Sequence, residues 1–236
     1  QVADFSRFRL ETYSFTDFNL DKKLPIKNDM PSGIREIPQN IVSPDGIQYY
    51  YDNLFRGNLS IKKWRNYNKP IMINNFTHIE EEKSFESPTF YTGELAVNTN
   101  KNKIIYAYNY FRRFDIMNLN GEILKTIEIL PSAPTPVKRG KSNYIPKSTM
   151  CYMGVKAFNN SFFLYYVGHS PKELEKNNMQ LPCYIEEYDW NGKPLNRYSL
   201  KRYISDFDIM KNTEKMISFI GIDITNNNPI IVFKSK

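Results

Sequence analysis

Leu95-Ala96-Val97, the polar stretch Asn98 to Lys103 and Ile104-Ile105-Tyr106-Ala107-Tyr108 make up an apolar run, a turn and a second run dense in aromatic and β-branched residues. Side chains of that kind are broad and stiff and pack well on a pleated surface. Asn at the turn tolerates the backbone angles a reversal needs. The segment therefore reads as a β-hairpin. The pattern recurs three times: Ile41-Val42 crosses 43–46 into Ile47-Gln48-Tyr49-Tyr50-Tyr51, Val155-Lys156-Ala157-Phe158 turns into Phe162-Phe163-Leu164-Tyr165-Tyr166, and Phe207-Asp208-Ile209-Met210 turns into Met216-Ile217-Ser218-Phe219-Ile220. The second runs begin at Ile47, Ile104, Phe162 and Met216, which are 57, 58 and 54 residues apart.

A second turn follows most copies. Leu119-Asn120-Gly121-Glu122-Ile123-Leu124 and Trp190-Asn191-Gly192-Lys193-Pro194-Leu195 are related, and Asn-Gly predicts a tight two-residue hairpin turn. Leu20-Asp21-Lys22-Lys23-Leu24 and Tyr67-Asn68-Lys69-Pro70-Ile71 are weaker relatives. Asp21, Asn68, Asn120 and Asn191 are separated by 47, 52 and 71 residues, and an insertion of 14 residues at 169 to 182 accounts for the long last interval. Each unit is thus a four-stranded antiparallel meander of about 56 residues, too long for most solenoid repeats. Radial repetition of such sheets shields their edges and buries the faces between them. The expected fold is all-β: one propeller domain over 1–236 made of four-stranded antiparallel blades, with about four units in the chain. The termini are expected to share a blade. Helix is confined to Ser170-Pro171-Lys172-Glu173-Leu174-Glu175, where Ser170 caps, Pro171 suits the first turn and Glu173 completes a capping box.

Composition sets further limits. Of 236 residues 41% are apolar, enough for a proper core, and 17 Tyr and 16 Phe against 10 Gly favour strands. The net charge of +7 would suit acidic partners, but its clusters (62–65, 138–141, 201–202) are short and scattered, as expected of solvated strand edges that oppose aggregation. Nucleic acid ranks last among partners, because it requires a contiguous basic stripe. No apolar stretch approaches the roughly 20 residues of a membrane helix. The chain opens at Gln1-Val2-Ala3-Asp4 without Met, as a processed chain would. Cys151 and Cys183 fall on the first and third strands of one predicted sheet, about 9 to 10 Å apart. That exceeds the reach of a disulfide, so two buried thiols are expected.

The polar-turn hairpins, together with the repeated elements Phe114-Asp115-Ile116-Met117-Asn118-Leu119-Asn120-Gly121 and Tyr188-Asp189-Trp190-Asn191-Gly192, resemble the TolB-like six-bladed propeller family of bacterial exported proteins. The resemblance implies an extracytoplasmic protein, often lipid-anchored through an upstream segment, with no assigned activity. Six blades of this length would need roughly 340 residues.

Residues for catalysis are sparse. His78 and His169 lie in unrelated connections, so neither has a nucleophile to serve. No His or Cys pair at ligand spacing, calcium loop or phosphate loop occurs, and no cofactor is expected. Asp52, Asp115, Asp189, Asp206 and Asp208 sit in or near strands and could in principle act as paired carboxylates on a glycan in a central funnel. Asp115 and Asp189 are better suited to capping or laddering the rim. The segment 131 to 149 stands out: it holds Lys138, Arg139, Lys141, Lys147 and Tyr144 and no acid. In a four-stranded blade it leaves on the same face as the 169 to 182 insertion that His169 opens. Lys138, Arg139, Lys141, Tyr144 and His169 are therefore the expected binding residues, for a partner protein or an anionic glycan. A non-enzymatic binding propeller is the favoured reading, and a funnel hydrolase the alternative.

Overall fold

The structure is a computed structural model. It describes the backbone of residues 2–4, 9–13, 20–25, 40–42, 48–54, 58–64 and 71–76, together with residues 92–129, 138–139, 142–143, 145–158, 160–211 and 217–234. The strands are β1 (Val2–Asp4), β2 (Arg9–Tyr13), β3 (Leu20–Pro25), β4 (Asn40–Val42), β5 (Gln48–Leu54), β6 (Asn58–Trp64), β7 (Ile71–Phe76), β8 (Gly93–Asn98), β9 (Lys103–Tyr108), β10 (Arg113–Asn118) and β11 (Ile123–Glu128). They continue as β12 (Lys138–Arg139), β13 (Ser142–Asn143), β14 (Met150–Ala157), β15 (Ser161–His169), β16 (Cys183–Asp189), β17 (Pro194–Leu200), β18 (Phe207–Lys211), β19 (Ile217–Ile222) and β20 (Ile230–Lys234). Among the described residues one α-helix, α1 (Pro171–Lys176), interrupts them.

All strand pairs are antiparallel between neighbours in sequence. They form three four-stranded sheets, β4–β7, β8–β11 and β14–β17, and two three-stranded sheets, β1–β3 and β18–β20, with β12–β13 a separate ribbon. All four predicted inner hairpins are present. The first strands of successive sheets touch: β4 packs on β8, β8 on β14 and β14 on β18. That places each first strand at the centre and each fourth strand at the outside, as a propeller requires. Among the described residues the terminal sheets, β1–β3 and β18–β20, are separate, and the expected shared blade is not seen there.

Among the described residues two buried clusters fill the spaces between sheets. Ala96, Ile105, Ala107, Phe114 and Ile116 of one sheet meet Cys151, Tyr152, Val155, Phe162, Leu164, Tyr188 and Trp190 of the next. The other face of that second sheet, with Met150, Phe163, Tyr165, Val167, Cys183 and Ile185, meets Phe207, Ile209 and Phe219. The strand period of two explains this arrangement: alternate residues of one strand supply two different cores. Phe114 lies edge-on to Phe162 and Tyr188, at 5.5 and 4.9 Å between ring centroids, the geometry aromatic pairs prefer.

The outermost strands carry a repeat that the turn motif obscures. Register breaks leave Asp21, Ile73, Leu124 and Leu195 as the unpaired residue of a bulge in β3, β7, β11 and β17. Asp21 is therefore a strand residue and not a turn, correcting the expected reversal there. The four bulges are spaced by 52, 51 and 71 residues, more evenly than the predicted turns. A bulge sharpens local twist, so its recurrence shapes every outer strand alike.

The Asn-Gly turns also differ from expectation. In the first, Asn118 N–H donates to Glu122 O and Gly121 N–H to Asn118 O; in the second, Asp189 N–H donates to Lys193 O and Gly192 N–H to Asp189 O. Only the glycines have positive φ, 84° at Gly121 and 78° at Gly192, whereas a two-residue type I′ turn needs two such residues. Each is a three-residue loop: a tight turn followed by one left-handed glycine.

Candidate functional site

An antiparallel meander has two unlike ends. The first-to-second and third-to-fourth turns share one; the second-to-third connections and the links between sheets share the other. At the turn end, adjacent sheets are stitched together. Asn98 Nδ2 donates across to Phe158 O at 2.8 Å and Lys125 Nζ to Asn191 O, while Trp190 Nε1 donates to the same Phe158 O at 3.0 Å from within its own sheet. Asn118 and Asp189 occupy equivalent positions, each accepting two backbone N–H bonds across its own loop.

The connection end holds the long segments. The expected helix is present, with Ser170 as N-cap and a complete capping box to Glu173. Those bonds from the Ser170 N–H and hydroxyl hold the Glu173 carboxyl below its ordinary pKa. Leu174 anchors the helix in the core, and α1 packs on the 3-10 turn Ile145–Lys147 of the preceding connection. A third connection joins them: Tyr203 N–H donates to Met179 O at 2.9 Å, and Ile204 N–H to the Tyr165 hydroxyl. Asn178 and Met179 leave the helix with φ of 49° and 59°. Two successive left-handed non-glycine residues are costly and persist only where surrounding contacts hold them.

Of the sequence-predicted binding residues, His169 ends β15, pairs with Met150 and lies with Nε2 3.0 Å from Pro182 O. Lys138 and Arg139 form β12, opposite Asn143 and Ser142 of β13. Lys141 and Tyr144 lie outside the described residues. Thus the two predicted segments meet at the 3-10 turn and α1, and His169 stands at the base of the insertion.

The candidate carboxylates separate into roles. Asp115 is fully buried and accepts from the Tyr108 hydroxyl at 2.8 Å and the Thr126 hydroxyl at 2.6 Å, tying three strands together. Asp189 shapes its turn, and the Lys193 and Asn191 N–H groups lower its pKa. Asp206 and Asp208 are exposed, and the side chain of Asp52 lies outside the described residues. Cys151 and Cys183 are unpaired and buried, as expected. Burial pushes their thiols up to about 12 and about 11, which keeps them protonated and unreactive.

Sequence reasoning missed Glu94, on innermost strand β8 at its connection end. Desolvation by burial, reinforced by the nearby Asp206 carboxylate, raises its pKa to about 7, against the opposing effects of Asn109 and Lys156. Asn109 Nδ2 donates to Glu94 at 3.2 Å and to Tyr152 O at 2.8 Å, so the amide bridges two sheets. Lys156 stands beside β18, its Nζ 5.9 Å from the Phe207 ring centre. Glu94, Lys156 and Asp206 therefore come from three successive sheets, a placement no local motif encodes. A second acid, Glu186, is structural: Arg112 and Arg197 pair with it at 3.2 and 3.3 Å, and the Tyr152 and Tyr188 hydroxyls donate to it. Among the described residues no group of three or more His, Cys, Asp or Glu side chains could hold a metal ion. No helix among them is long and apolar enough to cross a membrane.

Four-stranded antiparallel sheets that meet through their first strands and bury aromatic faces between them define the β-propeller class. Within it, the chain belongs to the TolB-like 6-blade propeller-like family, whose model matches residues 59–212, about two thirds of the sequence. No curated protein matches it. Similar solved structures include hydrazine synthase from Kuenenia stuttgartiensis, at 9% identity and TM-score 0.44 over 90% of this chain and 49% of that one. Streptogramin B lyase matches at 11% identity and TM-score 0.46, over 97% and 61%. A protein of unknown function from Bacteroides caccae matches at 10% and 0.43, over 97% and 69%. The chain spans about half the length of the first of these and about three fifths of the second.

Proposed function

We propose that this chain is a non-enzymatic binding or scaffold propeller acting outside the cytoplasm, which recognises a partner protein or an anionic glycan through its connection face. Lys138, Arg139, Lys141, Tyr144 and His169 are the contact residues of this reading. The observation that supports it is the packing of α1 on the 3-10 turn Ile145–Lys147, which joins two long connections into one surface on a rigid sheet scaffold. Cationic side chains on such a surface make charge-assisted bonds to sulfate, carboxylate or acidic peptide groups. The test is capture from a panel of sulfated glycans and envelope proteins by the chain and by a Lys138→Glu, Arg139→Glu, Lys141→Glu variant. Loss of capture in a folded variant is expected, and unchanged capture removes the site. Fractionation of the producing cell tests the compartment.

Glu94 favours a second reading, a hydrolase acting on glycans. A carboxyl with a pKa of about 7 close to a second carboxyl, Asp206, is the pairing of acids that catalysis on a glycosidic bond uses. Turnover of a glycan panel between pH 5 and 8, abolished by Glu94→Gln, would support it. An inactive parent chain rejects it.

A further inference from the structure

Asp115 and Glu186 hold the same place in neighbouring sheets. Each lies on a third strand two residues ahead of the register break, at Met117 and at Tyr188, and opposite each on the fourth strand stands Thr126 or Arg197. The Thr126 hydroxyl bonds its acid without adding charge. Arg197 adds a cation where one is already present, because Arg112 reaches the same Glu186 oxygen from the preceding sheet; the two stand 3.3 and 3.2 Å from Oε1. The Tyr152 and Tyr188 hydroxyls occupy the other oxygen, at 3.3 and 3.0 Å. Two guanidinium groups therefore share one carboxylate, and one positive charge is left over.

That surplus is held in a fixed geometry. Arg197 lies over the Tyr184 ring, 3.7 Å from its centroid, with Nε turned to Glu186. Its remaining edge, Nη1 and Nη2, belongs to a side chain 48% exposed, and no described residue bonds it. Arg112 lies over the Tyr166 ring in the same way, at 4.6 Å, and its buried Nε has no hydrogen-bond partner. Tyr152, Tyr166, Tyr184 and Ser199 pair in register across the four strands of the sheet. The strand period of two puts this row on the face that Glu186 and Arg197 share. A guanidinium whose plane and one edge are already fixed loses little freedom on binding, and its open edge matches two oxygens of one anion.

We propose that Arg197, with Tyr184 beneath it and Arg112 and Ser199 beside it, is an oxyanion-binding subsite at the connection end of the interface between β8–β11 and β14–β17. It takes a carboxylate or sulfate group, free or carried by a sugar, through charge-assisted bonds from the open guanidinium edge. The subsite uses none of Lys138, Arg139 and Lys141, so its failure and that of the connection-face reading are distinguishable.

The probes are sodium sulfate, glucuronate and, as an uncharged control, glucose, each titrated into the full chain at constant ionic strength and followed by backbone amide shifts. Saturable shifts in β17 and at Tyr184 are expected from both anions and none from glucose. Tighter glucuronate assigns a sugar-borne anion, and tighter sulfate a free one. Arg197→Thr, which copies the Thr126 arrangement, should weaken binding about tenfold, and Arg197→Lys, which keeps the charge but not the fork, should weaken it as well. The Lys138, Arg139, Lys141 triple to Glu should leave it unchanged; loss there moves the anion to the connection face and overturns the subsite. Unchanged affinity in a folded Arg197→Thr chain, or equal shifts from glucose, also overturns it. Shifts that avoid β17 in the parent chain do the same even if neither Arg197 variant folds.

Discussion

The loops at 118–122 and 189–193 use the same hydrogen bonds, the same left-handed glycine and the same side-chain cap, whereas the connections at the other end of those sheets share neither length nor secondary structure. One end has a single solution repeated in neighbouring sheets; the other carries a helix, a 3-10 turn and a titratable acid. The difference reflects what each end must do. The turn end holds sheet to sheet through bonds to backbone carbonyls, so its geometry is constrained. The connection end also ties sheets together, through Asn109 to Tyr152 O and Arg112 to Glu186, but with segments of unlike length, and it holds residues that work against stability, of which Glu94 is the clearest.

Substitutions can break or sharpen that contrast. The largest effect belongs to Trp190→Ala: it removes a buried indole and its bond to Phe158 O, and should cost about 3–5 kcal/mol in urea denaturation. A loss under about 1 kcal/mol would show that the indole contributes little to the core between the two sheets. Glu94→Gln should act in the opposite direction. Its folded pKa of about 7 lies above the ordinary 4.5, so the native state binds the proton more tightly. The stability this confers is fully present below about pH 4.5 and is lost as pH rises through about 7. Relative to the parent, Glu94→Gln should be near neutral at pH 4 and stabilising by up to about 3 kcal/mol at pH 8. A pH-independent difference in melting would refute the assignment.

Gly192→Ala tests the turn geometry. Its new Cβ would stand 2.6 Å from Ile127 Cδ1 at a φ of 78°, so a loss of about 1–3 kcal/mol is expected. Asp189→Ala removes the acceptor of two N–H bonds and should cost about 1 kcal/mol, as should Asn118→Ala at the equivalent place. Unequal losses would mean the two turns are alike in shape but not in energy. The smallest effect on stability is expected from the Lys138, Arg139, Lys141 triple to Glu, within about 0.5 kcal/mol, while ligand capture is lost.

Much of the fold was legible in the chain. Aromatic and β-branched runs around polar turns marked every inner hairpin, and Ser170, Pro171 and Glu173 marked the helix, because those signals act over a few residues and need no tertiary context. The reversal assigned to Asp21 failed because a charged strand residue next to a bulge has the composition of a turn. The two-residue turns failed because Asn-Gly serves both a two- and a three-residue loop, and only the hydrogen bonds distinguish them.

The chain by itself determined a repeated antiparallel meander, its insertion and its two unpaired thiols, since strand period and turn chemistry are local properties. Only the tertiary structure decided that Glu94, Lys156 and Asp206 stand near one another and that Asp115 is buried while Asp206 is exposed. The physical reason is that burial and electrostatic coupling depend on which sheet faces which, and residues more than 100 positions apart meet only when the sheets pack about their shared centre.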